Sequence, residues 1–183
     1  MKKILLTVLL MANLMLIAGN TQISIQSDNP FFNRSSDFLS IELENAIYPA
    51  KPGKPMLPLI PVTLLLPPGE KASTIQVTLE NEQIYHLDKL IEPGQTPVPI
   101  SQRHLAEFTE PDPEIYQKDM PYPSETHDNI STHYFRGHSI FTTNICPWSY
   151  NPVTSELKYY SNISITINSE TTEESMTAYS QMY

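Results

Sequence analysis

The sequence has few cysteines, few glycines and few basic residues, and each shortage argues against a class of protein. Cys146 is the single cysteine in 183 residues, so no disulfide can form within the chain. The five glycines form no phosphate-binding loop, and no G-x-S-x-G or H-E-x-x-H pattern is present. The 11 lysines and arginines are outnumbered by 20 acids, so the chain is expected to repel nucleic acid.

The first twenty residues contain the longest apolar run. Two lysines precede an almost unbroken apolar stretch over 4–17, and small residues follow it. This pattern is typical of an export signal peptide, with cleavage expected near Gly19 or Asn20. The run is shorter than the roughly 20 residues that a membrane-spanning helix needs, which argues against a retained anchor. We therefore expect residues 1–20 to be removed, leaving a secreted, periplasmic or cell-surface protein without membrane contact.

What the sequence does have is proline and alternating apolar residues. Seventeen prolines exclude long helices, and apolar residues between them recur with a period of two, most strictly in 74–80. The pattern predicts one all-β domain over 21–168, a two-sheet antiparallel β-sandwich (jelly-roll-like) with seven to nine strands. At most one short helix is expected, within 101–108. Further strands are expected at 40–47, 60–66, 83–87 (after a turn at 80–82), 133–145 and 157–167.

Two segments do not fit the strand pattern. Residues 91–129 contain seven prolines and little alternation. Such a long irregular segment within a compact domain is expected to be either a binding loop or a surface connector between the sheets. Residues 169–183 are polar and acidic, and are expected to form a tail or linker.

The residues that could in principle carry catalysis or bind a metal are the single cysteine, two nearby histidines and a few acidic residues. Cys146 is followed by Pro147 and Trp148, so an inert buried thiol is favoured over a nucleophile assisted by a histidine. His133 and His138 are five residues apart, which on one strand places them on opposite faces and argues against a shared metal. The sequence therefore predicts no catalytic residue, no cofactor and no metal. The acidic residues near the candidate loop lack the glycine and spacing of a calcium loop: Asp112, Glu114 and Asp119.

Three ordered motifs resemble the N-terminal propeptide domain of gingipain-type cysteine proteases (family C25). The first is G-x-P-x-L-P over 53–58, followed by an apolar strand and P-P-G. The second ends in Y-P at 122–123, ahead of an Arg-Gly pair. The third is P-W-S-Y-N-P over 147–152, then L-K-Y-Y and a final strand. The resemblance covers roughly 39–167, and its adjacent tyrosines, Tyr159 and Tyr160, are expected to point to opposite faces of the sheet.

The resemblance implies a non-catalytic β-sandwich that docks over the active-site cleft of its protease, assists its folding and keeps it inactive. The partner is then a cysteine protease catalytic domain, in cis or in trans. We hypothesise that residues 93–129 supply the docking loop and that Arg103 or Lys118 enters a specificity pocket. The alternative is that both are ordinary surface cations.

One departure from the family pattern bears on this interpretation. In the family a catalytic domain follows the prodomain, whereas this sequence ends at Tyr183. We interpret it as a truncated product, a fragment of a protease precursor, or a stand-alone domain acting in trans. A structural or adhesive β-sandwich module of the cell surface remains the second hypothesis.

Overall fold

The computed structural model describes residues 15–17, 19–35 and 37–180. The predicted signal peptide lies mainly outside these residues, and its described part contains β1 and the start of β2. The predicted all-β class is confirmed, because antiparallel strands dominate. The strands are β1 (Met15–Ile17), β2 (Asn20–Gln26), β3 (Phe31–Arg34), β4 (Leu39–Glu42), β5 (Ile60–Leu65), β6 (Glu70–His86), β7 (Ser131–Phe135), β8 (His138–Ile145), β9 (Trp148–Asn151) and β10 (Glu156–Thr171).

The larger sheet is organised around β10. This strand of 16 residues pairs with β6 along one side and with β2 and β9 along the other, and β1 lies outside β2. Because successive side chains of a strand point to opposite faces, one face of β10 is buried and the other is polar. The buried row comprises Leu157, Tyr159, Ser161, Ile163, Ile165 and Ile167.

The smaller sheet places β8 between β5 and β7. Its buried residues, among them Val62, Phe141 and Ile145, join the buried row of β10 in one hydrophobic core. The β3–β4 hairpin adds Leu39 and Ile41 to the same core. Burial of each such side chain contributes about 1.5–3 kcal/mol relative to exposure. The predicted antiparallel all-β architecture is therefore confirmed, although the β3–β4 hairpin forms a third sheet beside the two that were predicted.

The turn predicted at 80–82 is wrong. The register runs through this point without a break, so that Glu80 pairs with Asn162 and Glu82 with Tyr160 in one strand of 17 residues. Asn81 lies within this strand although its φ is positive, at 59°. Its side-chain amide donates a hydrogen bond to the Ser161 hydroxyl. Pairing with the long β10 overrides the local turn signal.

The region containing His133 and His138 folds as a hairpin rather than as one strand. Arg136 and Gly137 form its two-residue turn with φ values of 49° and 74°, the left-handed conformations that tight hairpins require. The register pairs His138 with Phe135, which is two residues from His133. The two histidines therefore share one sheet face, and the prediction of opposite faces is wrong because the turn was not recognised.

Two helices and one 3₁₀ turn complete the described chain, whereas the sequence predicts at most one short helix, within 101–108. The 3₁₀ turn is Ile100–Leu105, and the helices are α1 (Pro113–Tyr116) and α2 (Glu173–Ser180). Neither helix in the described residues has the length and hydrophobicity that crossing a membrane would require.

The C-terminal segment differs from the tail or linker expected at 169–183. The end of β10 extends into it, and α2 follows and packs on the turn before β6. Ser175 is fully buried, and its hydroxyl donates a 2.7 Å hydrogen bond to the Gly69 carbonyl. An ion pair of 2.6 Å joins Lys71 to Glu174. These tertiary contacts fix a helix that the polar composition did not indicate.

Candidate functional site: an anchored projecting loop beside a cleft

Residues 96–108 form an exposed loop, called here the projecting loop. Every residue in this range is exposed. Large apolar side chains are among them: Ile100 is 95% exposed and Leu105 63%. The 3₁₀ turn Ile100–Leu105 shapes the loop, and the Phe108 ring stacks on Phe38 at 5.8 Å. Exposed apolar residues grouped in one loop are typical of an interaction surface.

Hydrogen bonds close the neck of the projecting loop. The Thr109 amide donates to the Gln95 side-chain carbonyl at 2.9 Å, and the Thr96 amide donates to the Thr109 hydroxyl at 3.1 Å. The hydroxyls of Thr96 and Thr109 are themselves 3.0 Å apart. The two ends of the loop are therefore held together although its body lies in solvent.

Gly53 joins both ends of the projecting loop to the domain. Its amide donates to the Gly94 carbonyl at 2.9 Å, and its own carbonyl accepts from the Asp112 amide at 2.8 Å. Gly53 has a φ of +75°, which favours glycine. A Cβ on Gly94 would lie 2.4 Å from the Lys51 carbonyl oxygen, so this close approach also requires glycine. The first sequence motif thus serves as the anchor of the loop.

The other two motifs meet the first in the structure. The Trp148 indole donates a 2.7 Å hydrogen bond to the carbonyl of Pro58, the last residue of the first motif. Tyr122 and Tyr150 exchange two backbone hydrogen bonds of 2.8 Å, which join the second motif to the third. The three motifs that suggested the family are therefore parts of one support beneath the loop.

Tyr116 ties the chain after the loop to the chain before it. Its hydroxyl donates a 2.7 Å hydrogen bond to the Ile91 carbonyl, and the Ile91 amide donates to the Tyr150 hydroxyl at 3.4 Å. Burial raises the pKa of Tyr116 well above its usual value, with smaller contributions from Tyr150 and nearby groups. The phenol therefore stays protonated and remains a hydrogen-bond donor.

A cleft of ≈ 860 Å³ lies between the segment 49–59 and the segment 114–129. Its lining contains apolar side chains such as Leu57 and Ile115 and charges of both signs. Lys51 pairs with Asp128 at 3.6 Å within this lining. The cleft is therefore an amphipathic surface beside the loop support, without a dominant charge.

The structure places the two candidate docking cations in different settings. Arg103 lies on the 3₁₀ turn of the projecting loop, is exposed, and has no ion-pair partner among the described residues. Lys118 follows α1 and lines the cleft, whereas Arg103 does not. The predicted docking segment 93–129 thus divides into the projecting loop, α1 and one wall of the cleft. The neck of the loop was not foreseen, since its bonds join residues 13 or 14 positions apart.

Cys146 is a buried residue at the base of the cleft. It is 4% exposed, and burial raises the pKa of its thiol to about 12. A thiol with this pKa is protonated at neutral pH and is a poor nucleophile. The exposed hairpin that carries His133 and His138 does not line the cleft. This geometry agrees with the interpretation of Cys146 as a packing residue.

The acidic residues near the loop have structural hydrogen-bond partners. Asp112 caps α1 by accepting the Glu114 amide at 2.9 Å, and Asp119 accepts the Asn151 side-chain amide at 2.7 Å. Within the described part of the chain, no group of three or more His, Cys, Asp or Glu residues is placed to hold a metal. Asp112 and Asp119 therefore act as structural hydrogen-bond acceptors.

An anchored loop on an antiparallel sandwich defines an all-β domain that displays an irregular segment on a rigid scaffold. The chain belongs to the Propeptide_C25 family, whose model matches residues 22–182. The family resemblance inferred from the three motifs is thus confirmed.

The fold is similar to that of two solved structures from Porphyromonas gingivalis. The complex of RgpB pro- and mature domains matches with a TM-score of 0.70 and 18% identity, covering 87% of this chain and 83% of the other. The structure describing zymogenic latency of gingipain K matches with a TM-score of 0.69 and 18% identity, covering 85% and 90%. At this identity the likeness shows the fold. No curated protein matches the sequence.

Proposed function

We propose that this chain is a secreted, non-catalytic prodomain-like module that binds and inhibits a gingipain-type (C25) cysteine endopeptidase and assists its folding. The observation that carries the proposal is the membership of residues 22–182 in the Propeptide_C25 family. A related fold occurs in the complex of RgpB pro- and mature domains. The partner is a cysteine protease catalytic domain, in cis or in trans, and residues 1–20 direct the chain to export.

The projecting loop supports the inhibitory part of this proposal. A partner that covers Ile100 and Leu105 removes their exposed apolar surface from water. Burial of each side chain then contributes up to about 1.5–3 kcal/mol to the binding free energy. The hydrogen bonds from Gln95 and Thr96 to Thr109 hold the neck before binding. A preformed neck reduces the conformational entropy lost on docking.

Arg103 is the stronger of the two candidates for insertion into a specificity pocket. It lies on the exposed projecting loop, whereas Lys118 does not, and neither residue has an ion pair to be broken among the described residues. Lys118 lines the cleft next to α1. A protease pocket could receive its side chain only if the protease approached that wall of the cleft. A buried guanidinium needs an acidic partner, which an arginine-specific protease supplies.

Titration of a purified gingipain-type catalytic domain with the exported chain tests this function. Saturable inhibition of the cleavage of a small arginyl or lysyl substrate is expected. Arg103→Ala should weaken inhibition at least tenfold, or about 1.4 kcal/mol. Arg136→Ala is the matched control, because Arg136 is also exposed but lies in the turn between β7 and β8. Lys118→Ala tests the second candidate.

The outcomes separate the alternatives. Unchanged inhibition by both the Arg103 and the Lys118 variants removes the specificity-pocket hypothesis while leaving inhibition intact. A folded chain that inhibits neither arginine- nor lysine-specific enzymes of this family points instead to a structural or adhesive module. Refolding the denatured catalytic domain with and without the chain measures the folding role directly, as the yield of active protease.

A further inference from the structure

The outer edge of β2 lacks the features that usually protect an exposed strand. Its seven residues, N-T-Q-I-S-I-Q, include neither a charged residue nor a proline. Exposed strand edges are commonly protected by such residues. Some outer strands of the described chain have them, namely Pro61 in β5, Arg34 in β3 and Lys71 in β6, whereas β7 and β9, like β2, have neither. The part of the β2 edge that β1 leaves uncovered therefore carries neither of these protective features.

The register shows which backbone groups of β2 face outward. The Ser27 amide donates to the Ser161 carbonyl at 2.9 Å, and the Ser169 amide donates to the Gly19 carbonyl at 2.9 Å. In antiparallel pairs, residues that exchange hydrogen bonds with a neighbour alternate with residues that face away from it. Odd-numbered residues of β2 thus bond to β10. The outward-facing backbone groups belong to Asn20, Gln22, Ser24 and Gln26.

Part of this edge is already covered by an antiparallel strand. The three residues of β1 pair with residues 20–22, and the outward groups of Ser24 and Gln26 lie beyond them. β1 belongs to the segment proposed above as a signal peptide, so removal of residues 1–20 uncovers the edge of β2 from residue 21 to residue 26. This step rests on the proposed export. The uncovered edge is then available to a strand of another polypeptide.

A second copy of β2 fits this edge. Antiparallel pairing centred on Ser24 of both copies joins outward-facing groups to outward-facing groups, as a hydrogen-bonded pair requires. It places Ile23 opposite Ile25 of the second copy, so the apolar faces remain on the same side. It also places Gln22 opposite Gln26 of the second copy on the exposed face. The pairing is self-complementary, as a two-fold interface requires.

We propose that the processed chain forms a two-fold dimer through antiparallel pairing of the β2 edges, centred on Ser24. The two larger sheets become one continuous sheet in the order β6, β10, β2, β2, β10, β6. The projecting loop lies on other elements and takes no part in this contact. Dimer formation can therefore be measured without a protease, and its failure would leave the inhibitory proposal untouched.

The test is sedimentation velocity on the exported chain, with the N-terminus of the product determined by mass spectrometry. The processed chain is expected to be dimeric at about 100 µM and to dissociate on dilution. Ser24→Lys places two lysines directly opposite each other across the two-fold axis, which destabilises strand pairing, and should weaken the dimer at least tenfold. Ser164→Lys is the matched control, because Ser164 pairs with Ser24 from the central strand β10.

Two results would overturn the proposal. One is a processed chain that stays monomeric up to about 100 µM. The other is a dimer that Ser24→Lys and Ser164→Lys leave equally stable, which would assign the contact to another surface. Circular dichroism establishes that each variant is folded. If Ser24→Lys does not fold, the double variant Gln22→Lys/Gln26→Lys, which places lysines opposite each other twice in this register, decides the question by the same criterion.

Discussion

The central strand β10 and the projecting loop use isoleucine and leucine in opposite ways. Ile163 and Ile165 on β10 are fully buried, whereas Ile100 is 95% exposed and Leu105 63% exposed on the loop. On β10 these side chains stabilise the fold by leaving water. On the loop they remain in water, where they can lose exposure only by contacting a partner. Stability and recognition are thereby assigned to separate parts of the chain.

The support beneath the loop connects these two regions. Gly53 bonds to both ends of the loop, and the Trp148 indole binds the Pro58 carbonyl in the buried interior. The Trp148 ring also packs on Tyr159 of β10 at 4.6 Å between centroids. The loop is therefore held by the core without contributing its own apolar side chains to it. Substitutions in the three regions should have distinguishable effects.

The largest effect is expected in the core. Ile165→Ala leaves a cavity beside fully buried neighbours, and should lower the free energy of unfolding by about 2–5 kcal/mol. Chemical denaturation measures this change. Thr166→Ala is the control on the polar face of the same strand, with an expected change within about 0.5 kcal/mol. Equal effects of the two substitutions would contradict the assignment of Ile165 to the core.

Where the chain alternates strictly, the sequence alone was sufficient to predict the fold. The apolar alternation of 74–80 marked part of β6, and Tyr159 and Tyr160 were expected on opposite faces. That last prediction is confirmed, since Tyr159 is fully buried while the Tyr160 hydroxyl reaches the exposed Glu82 carboxylate. The local sequence pattern wrongly predicted a turn around Asn81. The strand continues there, with a positive φ at Asn81, because the residues on both sides pair with β10, which is distant in sequence.

The sequence predicts where the candidate site lies, but not the contacts that hold it together. Proline content and weak alternation indicated an irregular segment, and the projecting loop lies within it. Its neck depends on Gln95 meeting Thr109, and its anchor on Gly53 meeting Gly94 and Asp112. Such contacts join residues distant in sequence and have no local periodicity. In the sequence, the Gly53 motif indicates a turn but does not indicate which residues that turn contacts.

An intermediate effect is expected in the support. Tyr116→Phe removes the hydrogen bond to Ile91 and should cost about 0.5–1.5 kcal/mol at neutral pH. The pKa of Tyr116 is raised in the folded state, so its stabilising contribution is full below the unfolded pKa of about 10 and falls above it. The Tyr116→Phe variant has no ionisable group at this position, so its stability does not fall with pH for this reason. Above pH 10 the wild-type advantage should shrink by about 1.4 kcal/mol per pH unit.

Denaturant titrations at neutral pH and near pH 11 measure this convergence. The other tyrosines ionise in both proteins, so their contributions cancel in the difference between wild type and variant. A difference that stays constant across this range would show that the Tyr116 phenol ionises as easily in the folded chain as in the unfolded one. It would then be a solvent-accessible group rather than a buried connection across the loop.

The smallest effect on stability, and the sharpest test of the comparison, is expected on the loop. Leu105→Ser should change the free energy of unfolding by less than about 0.5 kcal/mol, because the side chain is already 63% exposed. If the loop docks on a protease, the same substitution should weaken inhibition several-fold, since apolar contact is lost only in the complex. Val153→Ser, at a residue 52% exposed in the turn before β10, is the matched control and should change neither quantity. Loss of stability without loss of inhibition in Leu105→Ser would reverse the assignment, making the loop part of the fold rather than its recognition surface.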